Sequence, residues 1–244
     1  MSLPLSIVVS SYARMACIQR LIGSAMDHFP VGSYEIIAVC SDHPASAKAQ
    51  FLQAHSAQYG VVKYVQADVR LNHRMKSLYA YENMGLRLSE GEWVFVTNDD
   101  TTFDPNFYSS FAAAKDHWDV IITSGHLGDV GLGCRKAVIG TITPPNGATA
   151  QLYLYDFSLI RKAVYERLGY LDEGLDWFGK GFDLAMACET TPGLRICYNA
   201  DIKVNHSIEA ENRCPPDYHR DFRYAADKWT KWCSEHGWRF TWPW

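Results

Sequence analysis

The stretch "GEWVFVTNDDTTFDP" (Gly91–Pro105) holds the residues whose types and spacing point most directly to chemistry. An apolar run stops abruptly at an amide and two adjacent carboxylates, Asn98, Asp99 and Asp100. Taking ionised carboxylates out of water without partners is costly, so their place at the end of a buried run calls for a use. Two uses fit the residue types. One is a turn, with Asp104 capping a helix that starts at Pro105. The other is a site in which one or two carboxylates hold a hard divalent cation and a substrate diphosphate completes the shell. The capping role suits Asp104 but leaves three consecutive polar groups unexplained.

What must position these groups is a series of alternating elements. Strand-like runs are expected at Leu5–Tyr12, Tyr34–Ser41, Val61–Gln66 and Glu92–Asn98. Helical patterns over Cys17–His28, Ser46–Tyr59 and Lys76–Leu88 separate them, the first with Ile18, Leu21, Ile22 and Ala25 on one face. This order predicts an α/β fold with a mainly parallel central sheet, right-handed crossovers and helices on both faces. Ligands of such sheets gather at the C-terminal strand ends. Asn98, Asp99 and Asp100 fall on that edge, as do Ser11, Tyr12 and Arg14 after the first strand and Ser41 and Asp42 after the second. The second half is less regular. A strand is expected at Asp119–Gly125, then a glycine-rich loop (Gly125–Gly133) and a turn-rich link, "TITPPNG". "QLYLYDFSLIRKAVYERLG" reads as a strand running into a helix, "FDLAMACET" as a helix closed by Pro192-Gly193, and "LRICYNADIKVNH" as the last strand or two.

Composition narrows the class. The chain has 244 residues, 48% hydrophobic and 20% charged, which is the balance of a folded domain rather than a disordered chain. A net charge of -4 with no basic block argues against nucleic acid as a partner. The apolar runs are too short to span a bilayer, and the N-terminus enters a strand without the pattern of a signal peptide. Seven scattered cysteines, none in a CxxC pair, argue against structural zinc and a disulfide framework. Reduced thiols in a cytoplasmic setting are expected. Phosphate-loop, dinucleotide, nucleophile-elbow and HExxH signatures are all missing.

The ordered set of motifs resembles the family 2-like nucleotide-sugar glycosyltransferases of GT-A fold. "SIVVSSYAR" (Ser6–Arg14) is similar to the family's opening strand and turn, and "YEIIAVCSDH" (Tyr34–His43) to its second strand. "YENMGLRLSEGEWVFVTNDD" (Tyr81–Asp100) keeps Asn83, Gly85, Gly91 and Glu92 and sets Asn98-Asp99-Asp100 on the family's DxD motif. "GYLDEGLDWFGKGFDLAMA" (Gly169–Ala187) and "GLRICYNADIKVNH" (Gly193–His206) match the later motifs without a gap.

The resemblance implies transfer of a hexosyl or deoxyhexosyl group from a nucleotide diphosphate sugar, with UDP the expected nucleotide, to a hydroxyl of a glycan or related acceptor. It also implies inversion at the anomeric carbon and dependence on Mn²⁺ or Mg²⁺, which would neutralise the departing diphosphate. Asp100 and His206 are the implied metal ligands. Ser11, Tyr12, Arg14, Asp42, Lys76, Asn83, Asn98 and Asp99 are the implied donor-binding residues, and Arg74 is a further candidate for phosphate or base.

Three departures stand out. Asn98 replaces the first DxD aspartate. Cys40-Ser41 replaces a pair of aspartates, with Asp42 one position later. The family's ED pair aligns with Lys180-Gly181, so the general base falls to Asp183 or, by a local shift, Asp176. Asp183 could instead only hold its helix in place.

One domain over 1–244 is expected: a donor half (1–105), an acceptor half (106–210) and a tryptophan-rich helix and tail (211–244). Trp229 and Trp232 fit a helix packed back on the domain, whereas Trp242 and Trp244 could meet an acceptor, a second copy or a membrane surface. Two other readings compete. A sugar-1-phosphate nucleotidyltransferase would need a glycine-rich first loop, and Tyr12-Ala13-Arg14-Met15 has no glycine. A non-catalytic nucleotide-sugar or glycan-binding domain would account for the altered ED pair.

Overall fold

Period-two alternation of large apolar side chains gives the sheet two buried faces. In a computed structural model, which describes residues 3–11, 14–67, 77–127, 138–176, 179–207 and 218–241, Leu5, Ile7 and Val9 of β1 (Leu5–Ser11) enter one core and Val8 the other. The same split recurs along β2 (Tyr34–Cys40) and β4 (Trp93–Asn98), with Trp93 and Phe95 on one side and Val94 and Val96 on the other. Helices must therefore cover both faces. α1 (Met15–His28), α2 (Ala47–Tyr59) and α4 (Phe107–Ala114) cover the first, and α3 (Leu78–Leu88), α5 (Lys162–Leu168), α6 (Lys180–Glu189) and α7 (Tyr218–His236) the second.

The remaining strands are β3 (Val62–Gln66), β5 (Thr101–Phe103), β6 (Val120–Leu127), β7 (Val138–Thr143), β8 (Ala150–Tyr153), β9 (Ser158–Arg161), β10 (Ile196–His206) and β11 (Arg239–Thr241). The eight-stranded sheet runs β3-β2-β1-β4-β9-β6-β10-β5. β3, β2, β1 and β4 are parallel, as are β6 and β10; β9 lies antiparallel between β4 and β6. The C-terminal ends of β1, β2, β4, β6 and β10 thus share one edge of the sheet, and β9 begins there. The expected mixed α/β architecture with a mainly parallel sheet is what the chain adopts.

Two details differ from the sequence reading, and one that it left open is fixed. "QLYLYDFSLIR" is two strands, β8 and β9, because the chain changes sheets across Leu154–Phe157. "ICYNADIKVNH" is one strand, β10, bent by a register shift between Asn199 and Lys203. A small sheet, β11-β7-β8, joins the chain's end to its middle. Asp104 Oδ1 accepts from the Asn106 N–H at 2.9 Å, a turn that leads into α4 at Phe107. Trp229 is buried and packs edge-on against Trp232, with ring centroids 5.7 Å apart.

Candidate functional site

The ends of the parallel strands bring distant residues into one ionic chain. It starts at Asp42, just past β2, whose carboxylate pairs with Lys48 Nζ at 2.9 Å. Lys48, in the first turn of α2 and 3% exposed, also donates to Ser11 Oγ at 3.1 Å. Ser11, the last residue of β1, donates in turn to Asp99 Oδ2 at 2.8 Å. Arg14 then bridges the carboxylates past β4: one guanidinium nitrogen pairs with Asp99, and Nη1 lies 2.7 Å from Asp100 Oδ2. Asp100 Oδ1 stands 2.9 Å from His206 Nε2 at the end of β10, and that nitrogen is 3.3 Å from Asn98 Nδ2.

β5 closes the corner. It pairs His206 with Thr101, and the Ser207 N–H donates to the Asp100 carbonyl at 2.9 Å. The ring of Phe157 packs on His206 with centroids 5.2 Å apart.

Both carboxylates are buried, Asp99 at 1% and Asp100 at 4% exposure. Their environments push them in opposite directions. Burial raises Asp99 to about 6, although the Arg14 charge and the Ser11 hydrogen bond pull it down. Burial acts on Asp100 too, but the His206 hydrogen bond and the charges of His206 and Arg14 outweigh it and hold Asp100 below the usual range. Asp100 is therefore the carboxylate that keeps its charge to lower pH.

Of the expected site residues, the sheet edge brings Ser11, Arg14, Asp42, Asn98, Asp99, Asp100 and His206 together. Tyr12 and Lys76 lie outside the described residues, as do Arg74, Trp242, Trp244 and the part of the glycine-rich loop beyond Leu127. Asn83 is spent inside the protein. Its amide donates to the Leu171 carbonyl and to Glu173, both at 2.9 Å, and accepts from the Leu171 N–H.

Asp183 lies in the first turn of α6, where its Oδ1 accepts from Lys228 Nζ and Trp229 Nε1, each at 2.7 Å. Those contacts tie α6 to α7. Asp176 forms an ion pair with Arg220, also on α7.

Lys48 escaped the sequence reading because α2 carries no clear apolar stripe to mark a buried face. A second group at the same edge also escaped it. Lys180, 8% exposed, bonds both oxygens of the fully buried Glu82 at 3.0 and 3.2 Å. Asp156, in the β8–β9 link, is the other carboxylate acted on by that ammonium.

Among the described residues, no three His, Cys, Asp or Glu side chains gather in a way that could hold a cation alone. Asp100 and His206 supply two donors. No helix among the described residues is long and apolar enough to cross a membrane.

No protein-family model matches the sequence, and comparison with curated proteins finds no sequence match. Solved structures do match. S. aureus TarS 1-349 in complex with UDP-GlcNAc aligns with a TM-score of 0.70 at 18% identity, over 92% of this chain and 66% of that one. A further S. aureus TarS structure aligns with a TM-score of 0.68 at the same identity, over 39% of that chain. GalNAc-T7 with UDP, GalNAc and Mn²⁺ aligns with a TM-score of 0.65 at 14% identity, over 89% of this chain and 46% of that one. The chain thus spans just under two thirds of the TarS 1-349 structure and less than half of the other two. At these identities the likeness establishes the fold, that of the GT-A glycosyltransferases.

Proposed function

We propose that the chain transfers a sugar from a nucleotide diphosphate donor, with UDP the expected nucleotide, to a hydroxyl of a glycan or related acceptor. The observation that carries this reading is the ionic chain from Asp42 to His206 at the sheet's C-terminal edge. In that chain a buried lysine, Lys48, and a half-buried arginine, Arg14, lie beside a carboxylate–imidazole pair. The matched structures that hold UDP-GlcNAc, or UDP with Mn²⁺, support the choice of donor class.

The residues fit a divalent cation. Asp100 Oδ1 and His206 Nε2 are 2.9 Å apart, about the spacing of neighbouring ligands on an octahedral ion whose bonds are about 2.1 Å. Among the described residues His206 Nδ1 is buried without a hydrogen-bond partner, and the ring is oriented by Phe157 and Nε2. Mn²⁺ or Mg²⁺ held there would neutralise charge growing on the departing diphosphate.

The chain's own groups do the rest. Asp100 stays ionised at neutral pH because the Arg14 guanidinium stabilises its charge. Arg14 and Lys48 place positive charge where phosphate oxygens would come, and Asn98 offers an amide 3.3 Å from His206. Asp42, at the end of β2, stands on the side of the site where β2 and β3 would flank a base.

Release of UDP from a panel of UDP-sugars, followed with Mn²⁺ and with chelator, tests the reading. Metal-dependent release above the uncatalysed rate is expected. Saturable UDP binding with no release would instead favour a binding module.

A further inference from the structure

One carboxylate at the sheet edge has no part in the ionic chain just described. Asp156 precedes β9, and because β9 runs antiparallel to its neighbours, its start lies where β1, β4 and β6 end. The next residue, Phe157, packs on His206. The Phe157 carbonyl accepts from the Thr123 N–H and hydroxyl, at 3.0 and 2.6 Å, so this link is fixed to β6. On its other side stands the first turn of α6, where the Tyr155 N–H donates to the Gly181 carbonyl at 3.1 Å.

Gly181 shows how closely the carboxylate is held. A Cβ added there would meet Asp156 Oδ1 at 2.3 Å, Cγ at 2.7 Å and the backbone nitrogen at 2.8 Å. The Asp156 carboxylate thus fills the volume that a side chain at 181 would take, and only glycine is compatible with it.

The Lys180 ammonium and the Gly181 N–H both act on it. Lys180 is shared with the buried Glu82, so one permanent cation serves two carboxylates. Burial pushes Asp156 above the ordinary carboxylate range despite these partners, which makes it a better proton acceptor at neutral pH.

We propose that Asp156 is the general base of the transfer, seated beside the reaction centre by Gly181 and Lys180. This rests on the glycosyl-transfer reading above. In the step, Asp156 takes the proton of the acceptor hydroxyl while the acceptor oxygen bonds to the anomeric carbon. The bond from that carbon to the diphosphate oxygen breaks, and its electron pair leaves with the diphosphate. Asp156 then returns the proton to solvent. Asp183, bonded to Lys228 and Trp229, is left to hold α7.

Asp156→Asn separates this role from a purely structural one, because asparagine caps a helix as well as aspartate does. The assay measures UDP release from UDP-sugars with Mn²⁺, water serving as acceptor, beside titration of UDP itself. Asp156→Asn is expected to keep UDP affinity within about threefold and to slow release by about 10²–10⁴-fold, the span of lost acid–base catalysis. Asp183→Asn is expected to retain release per folded molecule. UDP affinity serves as the check on folding, and Asp156→Ser provides a smaller replacement should asparagine be excluded.

Unchanged release by Asp156→Asn or Asp156→Ser, or loss of release by Asp183→Asn alone, overturns the assignment and leaves the transferase reading standing. Wild-type protein that binds UDP without releasing it from any UDP-sugar overturns both the assignment and catalysis. Failure to bind UDP at all overturns the donor reading itself.

Discussion

Replacing Asp183 separates a strut from a base. Its Oδ1 is the shared acceptor for the buried Trp229 indole and for Lys228. Asp183→Ala leaves the indole N–H without that acceptor in a site only 6% exposed, which costs about 1–3 kcal/mol. The Lys228 contact is about a third exposed on the lysine side and keeps Asp172 at 2.8 Å, so solvent screening limits its loss to about 1 kcal/mol. A carboxylate in the first turn of α6 adds a few tenths through the helix dipole. The sum is about 3 kcal/mol, or a fall in melting midpoint of about 6–12 °C for a domain of this size. Asp183→Asn keeps an acceptor for the indole and should lose only about 1 kcal/mol, or 2–4 °C. Thermal melting followed by circular dichroism, with tryptophan fluorescence as a second probe, gives both values. An Asp183→Ala midpoint within about 2 °C of wild type refutes the strut, since the buried indole would then have lost nothing.

Two further predictions test the frame around the site. Gly85→Ala sets a methyl 2.4 Å from Val8 Cγ1, where α3 lies against β1, and should cost about 1–3 kcal/mol, read as a lower denaturation midpoint with unchanged slope. Glu35 is buried, and although burial raises it, Lys63 at 2.7 Å, the Ser6 hydroxyl and the Glu90 N–H outweigh that and hold it below its ordinary value. Its charge therefore contributes stability that is present above the unfolded value of 4.5 and lost as pH falls through the lower folded value. Glu35→Gln should be destabilised by about 2 kcal/mol at pH 7, with the gap to wild type narrowing as urea melts are taken from pH 5 towards pH 3.

The sheet and the centre of the site were legible because regular periodicity fixes them. Strands of alternating apolar residues with helices between them leave few arrangements, and those arrangements bring Ser11, Asp42, Asp99 and Asp100 to one edge. His206 came from the resemblance, and β10 carries it to the same corner. Less regular features were hidden. Lys48 sits in a polar helix whose buried side no pattern marks, and a lysine in such a helix reads as solvated. Asp156 occupies a short link between strands of different sheets, and neither its neighbours nor its spacing signals that α6 would lie against it. The small β11-β7-β8 sheet is built from strands of three to six residues with glycine and threonine, too short for alternation to speak. Asp183 drew attention through its motif, yet packing by α7, some 45 residues later, decides what its carboxylate touches.

Nucleotide-sugar binding at Asp100 is measurable as a thermal shift. A thermal-shift series of UDP, GDP, dTDP and CMP sugars, each with and without Mn²⁺, is run on the wild type and on Asp100→Asn. A ligand at a hundred times its Kd stabilises the native state by about 2.7 kcal/mol, a rise of about 5–11 °C here. Such a rise is expected for wild type with a UDP-sugar and Mn²⁺, with its loss in Asp100→Asn. A wild-type midpoint that no nucleotide sugar moves, with metal or without, contradicts nucleotide-sugar binding at this site.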